Sequence, residues 1–552
     1  RHISSNKCKL HINNSCNSSY NGYILYHLLN KFSIKIGLFI LQLIMFTWQN
    51  RTTLSLFVIV IILYLLPVNN TPVLGTDETS YLLLAQSLSS GNGYTSTWLI
   101  GDLPHTLLPF GFPVILVPWV FFLGFNMLVL KGMVAIVGLA TVCAVFLLFK
   151  KEDSSLALVL AALTCTSPYI FKYSHTILSE IPYTLFSILS LYFTIRYVSR
   201  ERWFDRSGVM ATMFLCLAYF TRSAGLALFP AILFFVFFRH SDKKRAFGKI
   251  AFVGGIFLVF LGAWTLRNYF CVSMENSNNY IQQFFSDPYA HDNSQLGVSD
   301  FVVRVVTSVY AYAFYSFPEL LTGIRFYSRS VLAFVISGFI LWGFISRSIK
   351  ERNVFEWYVL FYMILMFAWP WSKISGTRFV LPIIPFIFYY FLTGLTGFIE
   401  FIRLKYYRKP VFCTVVAGLI MLNVITTGKQ QILMYQKDWQ EDYAGDFIKM
   451  AKWAQKNTDL KSRFLCLSPQ NFYQWSGRKS IPVNLTDSIT GQSETLEVIL
   501  REDVDYIVPD PVYSKDELRY LLPDLPLVLR SNSDKFQKIY KKDGNQIYMV
   551  VK

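Results

Sequence analysis

The chain has 552 residues, of which 53% are apolar, 17% aromatic and 15% charged. An average soluble domain carries about 25% charged residues, so this composition points to a membrane protein. The 50 Phe and 33 Tyr exclude a disordered chain, and eight scattered Cys with no metal-ligand spacing exclude a disulfide scaffold. Lys and Arg number 51 against 34 Asp and Glu, a net charge of +17. In a soluble protein that surplus would suggest nucleic acid; here the placement of the charges decides.

In chain order, the first residues stand apart. Residues 1–22 are polar and low in complexity, and Met45 opens MFTWQNR just before the apolar run from Leu54 to Leu66. Residues 1–44 therefore read as a leader outside the folded protein. The alternative is an extra apolar segment at 36–48, which is short of the ~20 residues that cross a bilayer. Eleven apolar segments are then predicted to span: 53–68, 132–149, 155–171, 182–199, 208–221, 224–239, 248–265, 329–346, 354–370, 379–398 and 410–427. Alternate loops hold 18 Lys and Arg on one side, from Lys150 to Lys409, and nine in much longer loops on the other. The positive-inside rule places the first set in the cytoplasm, which makes nucleic acid an unnecessary partner.

Two outer loops are long, residues 69–131 and 266–328. Residues 107–130 are apolar but interrupted by Pro109, Pro113 and Pro118, each of which removes a backbone donor. A re-entrant or interfacial piece is expected there rather than a straight span. Tyr280, Phe284, Phe285 and Tyr289 in the second loop suit either sugar stacking or interfacial anchoring. From 429 onward the pattern changes to a helical DYAGDFIKMAKWAQKN and strand-like SRFLCLS, SIPVNL, VDYIVPD and QIYMVVK. The chain therefore divides into a multi-span membrane domain, 45–428, and a small α/β domain, 429–552, which the odd span count puts outside the cytoplasm. Trp475-Ser-Gly-Arg478-Lys reads as a turn, with a contact to acceptor or glycan as the alternative. Cys271 and Cys466 are a pair that could meet outside the membrane.

Ionisable residues gather at the outer ends of these segments. Asp77 and Glu78 follow the first span, and Tyr81, Leu84, Ala85 and Leu88 continue at helical spacing. Taken alone, this is an acidic first turn favoured by the helix dipole. Lys172, His175 and Glu180 lie between spans three and four, Arg222 between five and six, and Lys373 and Arg378 before span ten. Each alone reads as a snorkelling cation or a cap. Together they put carboxylates and cations at successive outer helix ends, where they are expected to surround one cavity, because charges at membrane depth are costly and usually face a bundle interior.

The same residues carry a family resemblance. Asp-Glu and Tyr81 are followed by Leu-Ala and Gly-x-Gly-Tyr. Pro-x-Gly-Phe-Pro stands at 109–113, Leu-Ser-Glu-Ile-Pro at 178–182, Thr-Arg-Ser-Ala-Gly-Leu at 221–226 and Arg-Phe-Val-Leu-Pro at 378–382. In this order the motifs resemble membrane glycosyltransferases of the GT-C class. The likeness is strongest to the bacterial branch called glycosyltransferase family 39 or dolichyl-phosphate-mannose-protein mannosyltransferase-like, related to the lipid A aminoarabinose transferase.

The resemblance implies an α-helical polytopic membrane protein of GT-C type in the plasma membrane, with its site on the extracytoplasmic side. It implies transfer of a sugar from a polyprenyl phosphate to a protein, lipid A or glycan acceptor. Asp77 matches the family's first-loop acid and is the candidate base, with Glu78 as its neighbour. Arg222, Lys373 and Arg378 are candidates for the donor phosphate, supported by His175, Glu180, Tyr81 and His105. The leaving group is a phosphate ester, so one carboxylate base suffices where hydrolases use two carboxyl groups. Some class members use a divalent metal and others none, and no cluster here demands one. An oligosaccharide ligase or polymerase is the alternative. A transporter fits less well, since no internal repeat is evident and the charges sit at helix ends.

Overall fold

The computed structural model describes residues 60–62, 64–271, 284–285, 297–326, 330–370, 376–436, 439–481, 492–509, 525–542 and 544–551. The predicted leader, half of the first predicted span, Lys373, Tyr280 and Tyr289 lie outside the described residues.

The first long outer segment folds as α1 (Thr76–Ser89), a short antiparallel ribbon of β1 (Thr95–Ser96) and β2 (Leu103–Pro104), and α2 (Gly111–Leu123). At 1.5 Å per residue, the 13 residues of α2 reach about 20 Å, short of a hydrocarbon core of about 30 Å. Gly111 explains the motif around it: a Cβ there would lie 2.6 Å from the Phe220 carbonyl. The start of α2 is thus pressed against the chain just before Arg222.

Next come α3 (Met127–Phe149), α4 (Ser154–Thr166) and α5 (Pro168–Ser174). The last two meet at a 59° bend, where Pro168 starts a new helix. They are followed by α6 (Glu180–Val198), α7 (Arg206–Thr221), a 3₁₀ turn over Ser223–Ala227, α8 (Leu228–Arg239) and α9 (Lys243–Cys271). The second long segment holds α10 (Val298–Ala311), a π-helical stretch over Tyr312–Ser316 and α11 (Phe317–Thr322). The membrane part closes with α12 (Val331–Lys350), α13 (Val354–Ala368), the single turn α14 (Gly376–Phe379), α15 (Ile384–Phe401) and α16 (Arg408–Gln436).

Helices cover the ten predicted segments that fall within the described residues. Among the described residues, six are long and apolar enough to cross a membrane, and seven if the bent α4–α5 pair forms one span. The protein is therefore a multi-pass membrane protein. Large apolar side chains such as Phe122, Val259 and Val331 are more than 70% exposed, a surface suited to lipid rather than water. Inside, α12 and α15 cross with backbones in contact. A Cβ on Gly343 would lie 1.9 Å from the Tyr390 carbonyl oxygen, and one on Gly394 1.9 Å from that of Phe339. Small residues allow this approach, which replaces a hydrophobic drive between membrane helices with dispersion contact.

The C-terminal part contains α17 (Trp439–Asn457), β3 (Phe464–Cys466), α18 (Pro469–Ser476), α19 (Gln492–Arg501), β4 (Tyr506–Val508), α20 (Leu525–Ser531), β5 (Phe536–Lys542) and β6 (Asn545–Val550). The sheet runs β3-β4-β6-β5, with β3 and β4 parallel and the other pairs antiparallel. Leu465 sits opposite Ile507 and Tyr506 opposite Met549. In the predicted SIPVNL strand, Ser480 bridges Leu99 and Phe464, and residues 482–485 lie outside the described residues. Strand β5 was not anticipated. Its sequence FQKIYKK is mostly polar, and a register shift between Lys538 and Tyr540 breaks the alternation. Lys on an edge strand is a common guard against further pairing.

No disulfide joins Cys271 and Cys466, and Cys466 is buried in one apolar cluster with Phe464 and Phe472. Gly477, at φ +66°, ends α18 in the left-handed conformation. Arg478 then turns inward and donates to the Gln455 and Thr458 carbonyls at 2.6 and 2.7 Å.

Candidate active site

Four helix ends bring the site together. Helix α1 starts after Gly75 with Asp77 and Glu78 in its first turn, and α6 starts with Glu180 after Ser179. Both placements put carboxylates where the helix dipole favours them. Helix α7 stops at Arg222, whose extended backbone (φ −154°, ψ 130°) separates it from the 3₁₀ turn. Arg378 belongs to the single turn α14, which Tyr362 holds by donating its hydroxyl to the Phe379 carbonyl at 2.6 Å.

The charged groups form one chain. Arg378 donates Nη2 to Asp77 Oδ2 at 2.8 Å and Nε to Glu180 Oε1. Arg222 donates Nη1 to the same Glu180 oxygen at 2.7 Å and to Ser179 Oγ at 3.4 Å. Tyr81 donates its hydroxyl to Ser179 Oγ at 2.9 Å. The chain runs from a half-exposed Asp77 (46% side-chain exposure) through the mostly buried Arg378 guanidinium and a fully buried Glu180 to Arg222. Two carboxylates against two guanidiniums leave it neutral. A buried carboxylate is tolerated only when charges and hydrogen bonds compensate it, as these two cations do for Glu180.

Glu78 faces elsewhere. Its Oε1 accepts the Ile177 backbone N–H at 3.0 Å, tying α1 to the loop before α6. Burial pushes its carboxyl up from the usual range, and the Ile177 N–H, Lys131 and Arg378 act in the opposite sense. His175 lies off the chain of charges. Its Nδ1 is 2.7 Å from the Phe171 carbonyl and its Nε2 2.7 Å from the Tyr64 carbonyl. His105 belongs to the β1–β2 ribbon. It accepts the Leu108 N–H on Nε2 at 3.1 Å, which leaves Nδ1 to donate to Ser96 Oγ at 2.9 Å. Burial, with the Arg267 charge added, lowers its imidazole to about 3, so the ring is neutral.

Glu319 was missed in the sequence reading. It accepts the Tyr169 hydroxyl on Oε1 and the Thr377 hydroxyl on Oε2 at 3.4 Å, with Arg325 Nε 3.4 Å from Oε1. Thr377 directly precedes Arg378, so Glu319 braces the turn that carries the central cation. The available signal was a lone carboxylate in the apolar run FYSFPELL.

The donor set does not suit a divalent ion. Among the described residues no three His, Cys, Asp or Glu converge, and both Asp77 and Glu180 are held by guanidinium groups.

Residues 111–265 match the family model described as dolichyl-phosphate-mannose-protein mannosyltransferase. That stretch contains Glu180 and Arg222. No curated protein matches the chain. Among solved structures, it is similar to the archaeal oligosaccharyltransferase AglB from Archaeoglobus fulgidus in complex with an inhibitory peptide and a dolichol-phosphate. The TM-score is 0.57 at 14% identity, over 92% of this chain and 75% of that one. It is also similar to ArnT from Cupriavidus metallidurans bound to undecaprenyl phosphate, with a TM-score of 0.56 at 13% identity over 91% of this chain and 99% of that one. A third likeness is to the Archaeoglobus fulgidus oligosaccharyltransferase in complex with Zn and sulfate, with a TM-score of 0.53 at 16% identity over 89% and 73% of the two chains. At these identities the likeness shows a shared fold, that of the GT-C class.

Proposed function

We propose that this chain, a GT-C membrane glycosyltransferase, moves a sugar from a polyprenyl-phosphate donor to an acceptor hydroxyl on the extracytoplasmic face. The observation that carries the reading is the chain Asp77–Arg378–Glu180–Arg222, with a half-exposed carboxylate at one end and cations beside it. In the proposed step Asp77 takes the acceptor hydroxyl proton while the acceptor oxygen bonds to the anomeric carbon. The bond from that carbon to the phosphate oxygen breaks, and the electron pair leaves with the polyprenyl phosphate. The donor diester carries one negative charge and the departing monoester approaches two. Arg222 and Arg378 therefore meet more charge in the transition state than in the ground state, which is what lowers a barrier.

Arg378 links the two tasks. Its planar fork suits phosphate, and a phosphate drawing Nη2 away would release Asp77 to act as base. Glu180 stays behind as the fixed anion that orients both guanidiniums. No step is routed through a metal.

Two measurements test the reading. Membranes carrying the protein and a radiolabelled polyprenyl-phosphate monosaccharide are expected to move label into the acceptor fraction. Label moving only from a pyrophosphate-linked oligosaccharide would assign the chain to the ligases instead. A topology reporter fused after Lys552 is expected to be active only outside the cytoplasm. Cytoplasmic activity would invert the proposed sidedness and move the site to the wrong face for an exported donor.

A further inference from the structure

The C-terminal domain grips the helix that carries the proposed base. Leu74, three residues before Asp77, is buried in the same apolar cluster as Phe447, Met450 and Phe472 of that domain. Asn471 of α18 is fully buried, and its amide straddles the first turn of α1. Nδ2 donates to the Leu74 carbonyl at 2.7 Å, and Oδ1 accepts the Thr79 hydroxyl at 2.6 Å. Asp77 lies between those two anchor points. Farther along, the Ile100 N–H donates to the Ser480 carbonyl at 2.9 Å and the Ser480 N–H to the Trp98 carbonyl at 3.0 Å. Lys479 pairs with Asp102 at 2.6 Å on the exposed rim.

A helix start is the loosest part of a helix, because its first N–H groups and the preceding carbonyls lack intrahelical partners. Gly75 at the N-cap position of α1 has no side chain to supply one. The Asn471 amide takes none of those N–H groups but fastens this loose turn from outside the helix, through the Leu74 carbonyl and the Thr79 hydroxyl, at two points five residues apart.

We propose that Asn471 is a positioning residue through which the C-terminal domain fixes the direction of the Asp77 carboxylate. This rests on the reading of Asp77 as the base. Misplacement of a reacting group by about 1 Å can cost on the order of 100-fold in rate. Asn471→Ala is therefore expected to lower turnover roughly 10- to 100-fold while donor affinity stays within about twofold, since it touches none of the cations. Thr79→Val, which keeps the shape and removes the hydroxyl, is expected to lower turnover in the same sense. Thr79→Ser is expected to retain it.

The deciding measurement is the residual transfer of purified full-length Asp77→Asn with and without Asn471→Ala. If Asn471 works through Asp77, the second change adds nothing to the first; a merely structural role would cost a further factor and lower donor affinity as well. Lys479→Ala, which removes only the exposed pair, serves as the control expected to stay active. Near-normal turnover of both Asn471→Ala and Thr79→Val, in a background where Asp77→Asn is inactive, would overturn the positioning role and leave the base assignment standing. An active Asp77→Asn would instead remove the base assignment on which the proposal depends.

Discussion

Asp77→Asn is expected to lose turnover by about 10²- to 10⁴-fold, the usual cost of removing a general base. Folding and donor binding should be largely kept. The amide is nearly isosteric and still offers an acceptor oxygen to Arg378 Nη2, but it cannot take a proton from the acceptor hydroxyl. Glu78→Gln is expected to be milder, because Glu78 accepts a backbone N–H and faces the loop before α6. Transfer rates and donor affinities of the purified variants decide the matter, with thermal stability as the control. A dead Glu78→Gln beside an active Asp77→Asn would exchange the two roles. Activity in both would reduce the acidic pair to a helix cap.

The second large effect is expected at Glu180. Glu180→Ala removes the one anion shared by Arg222 and Arg378 and leaves both guanidiniums, each under 20% exposed, short of a partner. Breaking a buried pair by deleting one member costs about 3–5 kcal/mol. A marked fall in melting temperature is therefore expected together with loss of transfer. Arg222→Ala and Arg378→Ala should weaken donor binding more specifically, since each removes a phosphate contact but leaves Glu180 one remaining cation. A Glu180→Ala protein with ordinary melting temperature and donor affinity would show that Glu180 holds neither arginine in a working position.

The charges that mattered were visible in the sequence because a bilayer leaves few places for them. Asp77, Glu180, Arg222 and Arg378 each interrupt or flank an apolar run, and the sidedness expected from the loop charges puts them on a common face. Their pairing was not visible. Residues 42, 198 and 301 positions apart meet in the Arg222–Glu180, Arg378–Glu180 and Arg378–Asp77 pairs, and no local pattern encodes such distances. The separate faces of Asp77 and Glu78 were equally hidden, because neighbours on a helix turn point about 100° apart but sequence does not say toward what. His175 and His105 looked like site residues by type and location. Their nitrogens are instead spent on backbone and serine partners. Asn471 and Thr79 carried no signal at all, being ordinary polar residues until a distant domain brings them together.

The crossing of α12 and α15 has a mechanical consequence for Arg378. With each backbone seated against the other's carbonyl at Gly343 and Gly394, α15 is pinned like an axle and has little freedom to slide. Arg378 stands just before that helix, on a single turn joined to it by the short 3₁₀ piece Leu381–Ile383. Any travel of the guanidinium from carboxylate to phosphate is thereby confined to this brief lever and to the side chain itself. The helices behind it act as a fixed mount, so the proposed exchange of partners at Arg378 would require no rearrangement of the bundle.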